Sequence, residues 1–204
     1  MRFLRLYLRS RRVPLALATA TAAITGVWAL CLVYSDTPTI DAKGVSLTVM
    51  LAVAALAPTL GGADDALDQT ASINWPTRRA GHLLLVATAI VALLLLSTLT
   101  DARFAPVGLV LRNTAGLLGL AALGAALFGT ARSWIAPLTW TLVSVLPLVH
   151  ASPEVSMQIL GWLVQPAGTT AATTCAAVLG VTGLLAYALR GCPRHPAAET
   201  APDR

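Results

Sequence analysis

The residues best suited to chemistry are three closely spaced carboxylates in the stretch GGADDALDQTASINWPTRRAGH, residues 61–82. Asp64, Asp65 and Asp68 form a DDxxD pattern, and on a helix this spacing brings their oxygens to one side. Clustered oxygens bind Mg²⁺, so the pattern fits a site for a prenyl diphosphate. Such a site needs a second acidic motif, but the other carboxylates considered are scattered over expected outer loops and the C-terminal tail: Asp36, Asp41, Asp101, Glu199 and Asp203. The stretch is therefore better explained as a surface that contacts another protein.

Other reactive residue types also lack a catalytic arrangement. Serine proteolysis within a membrane needs a base deep in the helix bundle, whereas the histidines fall at expected interfaces or in the tail: His82, His150 and His195. The sequence has no HExxH motif, and its only lysine, Lys43, precedes Gly44 and cannot complete a P-loop. The cysteines lack CxxC spacing, which disfavours a disulfide framework or a zinc site: Cys31, Cys175 and Cys192. We expect no enzymatic activity, cofactor or metal, and any energy from ATP must come from a partner.

The elements that position these residues are set by an apolar composition. Of 204 residues, 56% are hydrophobic and only 11% are charged, too few polar side chains to cover a soluble domain. The chain is thus expected to be an all-α integral membrane protein, because lipid offers no partner for unpaired backbone groups. Its apolar runs carry no carboxylate, which disfavours ion-coupled transport.

Charge-free runs of about 20 residues, each enough to cross about 30 Å of hydrocarbon, predict six transmembrane helices in one domain, residues 1–190. The predicted spans are residues 13–33, 44–60, 82–100, 113–130, 133–149 and 168–189. The polar, Pro-rich residues 191–204 are expected to form a disordered cytoplasmic tail.

Orientation follows from the basic residues that flank short loops, which stay in the cytoplasm during insertion. With the N-terminus inside, only Lys43, Arg103 and Arg112 lie outside, and the other basic residues lie inside. Both termini are therefore expected in the cytoplasm. The net charge of +5 then indicates topology and contact with anionic lipids, and nucleic acid binding has no support.

Three further segments are predicted outside the spans. Residues 2–12 place apolar and basic side chains on opposite faces of an interfacial helix, with a disordered basic tail as the alternative. Residues 63–73 form a short cytoplasmic helix between spans two and three, followed by the anchoring pair Arg78 and Arg79. Residues 152–165 form an outer amphipathic or re-entrant helix, on which Val155, Ile159, Trp162 and Leu163 share one face.

The fourth predicted span combines a stripe of small residues with a charge at its start. The stripe, suited to close helix packing within the chain or to a dimer seam, consists of Ala115, Gly119, Ala122, Ala126 and Gly129. Arg112 and Asn113 precede it and are expected at the outer interface, with an internal cavity as the alternative for Arg112.

The order of these elements resembles the membrane subunit of a type-2 ABC exporter. The phrases ALDQTASINWPTRRAGHLLL and VLRNTAGLLGLAALGAALFG also resemble small membrane proteins encoded beside ABC transporters in high-GC, actinobacterial-type bacteria. The resemblance implies that residues 63–73 are a coupling helix on which a separate ATPase docks, and that residues 152–165 form an outer gate. The implied docking residues are Asp64, Asp65, Asp68, Gln69, Arg78 and Arg79; the implied gate residues are Val155, Ile159 and Trp162.

Two functions remain open at the level of sequence. The first is an ABC-type permease subunit of the bacterial cytoplasmic membrane that exports a substrate as a homo- or heterodimer with a separate ATPase. The second is a non-transporting accessory, immunity or scaffold protein that uses the same surfaces only for binding. Spans rich in Ala, Leu and Thr fit a hydrophobic or amphipathic cargo, but ordinary span packing explains them equally well.

Overall fold

The architecture is a bundle of helices, and a computed structural model describes residues 13–34, 39–61, 75–99, 103–104, 106–146 and 154–193. In chain order the helices are α1 Val13–Tyr34, α2 Ala42–Leu56, α3 Trp75–Leu95, α4 Val107–Phe128, α5 Ile135–Val145, α6 Val155–Leu160 and α7 Thr170–Arg190. Short 3₁₀ turns extend α2 and α3 and follow α4, at Ala57–Leu60, Leu96–Leu99 and Thr130–Arg132. Two short strands, β1 Thr39–Ile40 and β2 Arg103–Phe104, pair in parallel. They link the connection between α1 and α2 to the connection between α3 and α4.

Five helices are long and apolar enough to cross a membrane: Val13–Tyr34, Ala42–Leu60, Trp75–Leu99, Val107–Phe128 and Thr170–Arg190. This confirms the prediction of an all-α, membrane-embedded protein. Helix α4 is the most buried of the five and α1 the least, so α4 forms the centre of the bundle. Helix α5 has only 11 residues and is too short to cross by itself.

Several helix ends differ from the predicted spans because Pro and Gly define them. Helix α3 begins at Trp75 instead of residue 82, with Pro76 in the first turn, where a missing N–H loses no bond. Helix α4 begins at Val107 instead of 113, directly after Pro106, and stops before Gly129, whose φ is 84°. Helix α5 stops at Val145 because Leu146, which precedes a proline in the sequence, has extended backbone.

The two ends of the bundle differ in shape and charge. We call one the arginine end, residues 57–61, 75–82, 128–134 and 187–193, and the other the loop end, residues 39–46, 96–99, 106–113 and 154–169. Tyr187 Oη donates to Leu60 O at 2.6 Å, and His82 Nε2 lies 3.2 Å from Thr59 Oγ1, which ties the arginine end together. The charged residues described at that end are all arginines: Arg78, Arg79, Arg132 and Arg190.

Helices α4 and α7 run side by side in the same direction and approach closely at glycines. A Cβ on Gly119 would overlap the backbone of Leu179 and Gly180, and a Cβ on Gly183 would overlap Gly119. The predicted stripe of small residues therefore packs within the chain. Ala122 and Ala126 are buried, while Ala115 is exposed beside Gly180.

Candidate functional site

The best-developed polar site lies inside the loop end, around the side chain of Arg112 on α4. This side chain is only 5% exposed. Its Nη2 donates to Gln165 O at 2.6 Å and its Nη1 to Pro166 O at 2.9 Å. Nε lies 3.4 Å from Asn113 Oδ1, a longer contact. The guanidinium thus binds the irregular chain that follows α6 and precedes α7.

Arg112 forms no ion pair with any carboxylate in the described part of the chain. A buried cation without a counter-ion is unfavourable unless several hydrogen-bond acceptors surround it. Backbone carbonyls supply those acceptors here. Conversely, the carbonyl of the buried residue Gln165 needs a donor, whereas Pro166 O also accepts a hydrogen bond from Thr169 N at 3.1 Å.

Asn113, the next residue, extends the network to α2. Its Nδ2 donates to Leu163 O and lies equally close, at 3.0 Å, to Ser46 Oγ. Ser46 Oγ is in turn 3.1 Å from Leu163 O. Both side chains are fully buried. One carbonyl of the loop therefore links α2 to α4.

Helix α5 holds the beginning of the same loop. Trp140 Nε1 donates to Leu160 O at 3.0 Å, and Ser144 Oγ lies 3.5 Å from that oxygen. Side chains of α2, α4 and α5 thus bind four backbone carbonyls of one segment, at Leu160, Leu163, Gln165 and Pro166. We call this segment, residues 160–169, the clamped loop.

An aromatic anchor completes the clamped loop. Trp162 is fully buried, and its ring lies against Gly116 of α4, where a Cβ would overlap it. The indole Nε1 has no hydrogen-bond partner within the described residues. The absence of a side chain at Gly116 is thus what gives the Trp162 ring its place.

Trp162 does not share an exposed face with the other predicted gate residues. Helix α6 ends at Leu160, and the chain turns at Gly161 before Trp162 enters the core. Val155 and Ile159, on α6, are 60% and 44% exposed. The three residues therefore occupy two environments, a surface helix and a buried anchor, and their role as a gate stays a prediction.

A cavity of about 700 Å³ lies beside the clamped loop. Its wall includes Val164 to Ala167 of that loop, the connection at Thr39 to Ala42, and the start of α4. Arg112 is not part of this wall; it holds the wall from behind through the carbonyls of Gln165 and Pro166. Arg112 is thus buried within the protein and does not line this cavity, and its place at the outer membrane interface stays a prediction.

The predicted docking residues are only partly visible. Asp64, Asp65, Asp68 and Gln69 lie outside the described residues. Arg78 and Arg79 lie in the first turns of α3 at the arginine end, and both are partly buried. The chain's possible metal ligands do not form a cluster of three within the described ranges.

Sequence reasoning missed the partners of Arg112 and Asn113. Ser46 and Gln165 gave no signal, because a serine in an apolar helix and a glutamine near a loop are common. Arg112 itself was a signal, since a charge beside a long apolar run requires a partner wherever it is buried. The partner proved to be a set of backbone carbonyls, which residue types do not reveal.

Comparison with known proteins gave no match: no protein-family model fits the sequence, and no curated protein or solved structure is significantly similar to it.

Proposed function

We propose that this chain is the membrane-spanning permease subunit of an ABC-type exporter, coupled to a separate ATPase and without catalytic activity of its own. The observation that carries the proposal is the clamped loop beside a cavity of about 700 Å³ at the loop end. A transport path needs an element that closes one mouth and has a second stable position. A loop held by a few polar contacts is suited to such a role.

The proposal includes six crossings of the membrane, and α5 lies in the fifth crossing. Helices α4 and α7 run in the same direction, so the chain between them must return from one end of the bundle to the other. Ser133, before α5, packs against Gly124 near the end of α4, and Val145 O accepts a hydrogen bond from Lys43 Nζ near the start of α2. These contacts support a crossing made by α5 with its flanking residues.

Cytoplasmic placement of the arginine end is also proposed. Basic residues flanking short loops stay inside, and this end carries four arginines and no acidic residue among those described. The loop end includes Asp41 and Glu154. In this orientation residues 63–73 face the ATPase, and α6 with the clamped loop faces outward.

Export then follows from coupling between the two ends. Closure of two ATP-bound ATPase subunits would push the segment that contains Asp64, Asp65 and Asp68, and the bundle would transmit this motion toward the clamped loop. The clamped loop would move when the contacts of Arg112 exchange with water, and this would reshape the cavity beside it. The protein would act as a homo- or heterodimer in the bacterial cytoplasmic membrane.

A second function, a non-transporting accessory, immunity or scaffold protein, is favoured by one observation. Gly119 and its neighbours, the most obvious seam for a second subunit, are already packed against α7 of the same chain. A permease half has to find its dimer contact elsewhere, whereas a scaffold needs none.

Co-purification separates the two functions. The full chain is purified from its native host in mild detergent, and co-purifying ATPase and its turnover are measured. The triple variant Asp64→Ala, Asp65→Ala, Asp68→Ala should reduce ATPase recovery or alter turnover, while Glu154→Ala at the loop end should change neither. Recovery of the chain without any nucleotide-binding partner would reject the permease and favour the scaffold.

A further inference from the structure

An apolar groove runs along the lipid-facing side of the seam between α3 and α7. Its volume is about 260 Å³, and its floor consists of small residues: Ala87, Ala115, Gly119, Ala177 and Gly180. Leu84 and Val181 on its rim are 57% and 55% exposed. We call it the lateral groove. An open apolar groove within membrane-spanning helices is filled by a lipid chain or by another helix.

Two arginines lie beyond the groove at the arginine end. The guanidinium of Arg79 on α3 packs directly on Gly191, which follows α7 and has φ 68°. Any side chain at Gly191 would overlap that guanidinium. Arg190, the preceding residue, is exposed. Neither arginine has a hydrogen bond or ion pair within the described chain.

Helical spacing places Arg79 on the same line as the groove. On α3, Arg79, Leu83 and Ala87 follow each other at intervals of four, so they share one face. On α7, Gly191 follows the groove residue Leu184 by two turns, and Ala177 precedes Leu184 by two more. The seam that forms the groove therefore continues to Arg79 and Gly191, with Arg190 as the residue directly before Gly191, over roughly 10–15 Å at 1.5 Å per residue.

We infer that the lateral groove and the pair Arg79 and Arg190 form one binding site for an anionic phospholipid of the cytoplasmic leaflet. One acyl chain lies along Gly180 and its small neighbours, and the phosphate lies between the two guanidinium groups. Charge favours this occupant, because two cations near the end of an apolar groove, neither paired within the described residues, repel a second copy of the same surface and attract a lipid phosphate.

The site does not require an ATPase partner, but its place in the cytoplasmic leaflet rests on the orientation proposed above for the arginine end. It assigns Arg79 to lipid binding. A lipid bound across α3 and α7 would hold these two helices together at the arginine end.

The test is lipid titration of the full chain in detergent, followed by native mass spectrometry. The probes are dioleoyl phosphatidylglycerol, dioleoyl phosphatidylcholine, and glycerol 3-phosphate as a soluble phosphate. The parent should bind its first phosphatidylglycerol in preference to phosphatidylcholine. The double variant Arg79→Gln, Arg190→Gln should weaken that binding about 25-fold, roughly five-fold for each arginine.

Two matched variants separate this site from general electrostatics and from surface apolarity. Arg132→Gln removes a charge at the same end but away from the seam, and should change phosphatidylglycerol binding less than about two-fold, since surface charges are screened. Ala177→Leu fills the groove and should weaken binding of both lipids. Ala136→Leu, on the exposed face of α5, should weaken neither.

Four outcomes would overturn the inference. In the first, Arg132→Gln weakens binding as much as the double variant, which indicates diffuse attraction. In the second, Ala177→Leu binds lipid like Ala136→Leu, which leaves the groove without a role. In the third, glycerol 3-phosphate displaces phosphatidylglycerol at equal concentration. In the fourth, the lipid-free parent is a dimer that Ala177→Leu dissociates, which makes the groove a seam between copies.

Discussion

Removing the guanidinium of Arg112 should release the clamped loop, and the structure sets the size of the effect. The variant Arg112→Met keeps an unbranched apolar side chain but loses both short bonds, to Gln165 O and Pro166 O. Hydrogen bonds to charged groups contribute about 1.5–3 kcal/mol each, so about 3–6 kcal/mol of favourable interaction is lost. Met also removes a buried cation, whose desolvation opposes folding, which reduces the expected net loss to about 3 kcal/mol.

This loss should appear as more frequent opening of the loop. Because 1.4 kcal/mol corresponds to a factor of ten, about 3 kcal/mol raises the opened population roughly a hundred-fold. Arg112→Lys tests the geometry. An ammonium lacks the fork that reaches two carbonyls at once, so it should satisfy one of them and raise opening only about ten-fold.

Cysteine protection measures the opening directly. In a background without native cysteines, Leu163→Cys places a thiol at a position that is fully buried in the clamped loop. When opening is fast compared with labelling, the rate of maleimide modification is proportional to the opened population. The order of rates should be Met above Lys above Arg at position 112.

A matched variant shows whether the effect belongs to the clamp. Arg132 is exposed in the turn after α4, so Arg132→Met should leave the labelling rate at Leu163→Cys unchanged. Equal labelling of the Arg112→Met variant and the parent would refute the reasoning, because the carbonyls would then be held by other contacts. An equal rise in both variants would indicate general loosening of the bundle.

Three further predictions concern packing and orientation. Gly116→Val should displace Trp162 and lower the unfolding free energy by about 2–3 kcal/mol. Gly26→Ala is the control and should be neutral or stabilising, because a Cβ at Gly26 has no atom within 4 Å. Thermal denaturation in detergent compares the two variants, and equal stability would contradict the role of Trp162 as an anchor. Tyr187→Phe should lower it by about 1 kcal/mol through loss of the 2.6 Å bond at the arginine end; an unchanged melting curve would assign that bond no role. Gln69→Cys, in a cysteine-free background, should react with an impermeant maleimide only from the cytoplasmic side, and labelling from outside alone would invert the proposed orientation.

The sequence predicted the membrane class and the approximate places of the long helices because hydrocarbon thickness sets the length of an apolar run. It placed helix ends less well. Helix α3 is described from Trp75, with Pro76 in its first turn, and a boundary drawn from the charges of Arg78 and Arg79 misses these residues. The short α5 reflects the restriction on Leu146 by the next residue, a local rule that hydropathy does not contain.

The site was harder to predict than the helices, since its contacts join distant positions. Periodicity placed Trp162 with Val155 and Ile159, as if one helix continued, but Gly161 ends that helix and Gly116, far away in sequence, provides the space for the ring. A search for paired charges likewise finds no partner for Arg112. Its partners are main-chain atoms, whose availability depends on where the backbone is irregular.

The irregular backbone of the clamped loop and the polar side chains that bind it are connected, because irregular backbone inside a membrane bundle requires buried donors. The clamped loop presents backbone carbonyls at Leu160, Leu163 and Gln165, and two helices bind them: α4 through Arg112 and Asn113, and α5 through Trp140. Any movement of the loop must break these bonds together or replace them with water. In the proposed gate, movement of the loop would therefore be coupled to hydration of the carbonyls that Arg112 and Asn113 bind, so the loop would be either clamped and dry or released and hydrated, with few states between.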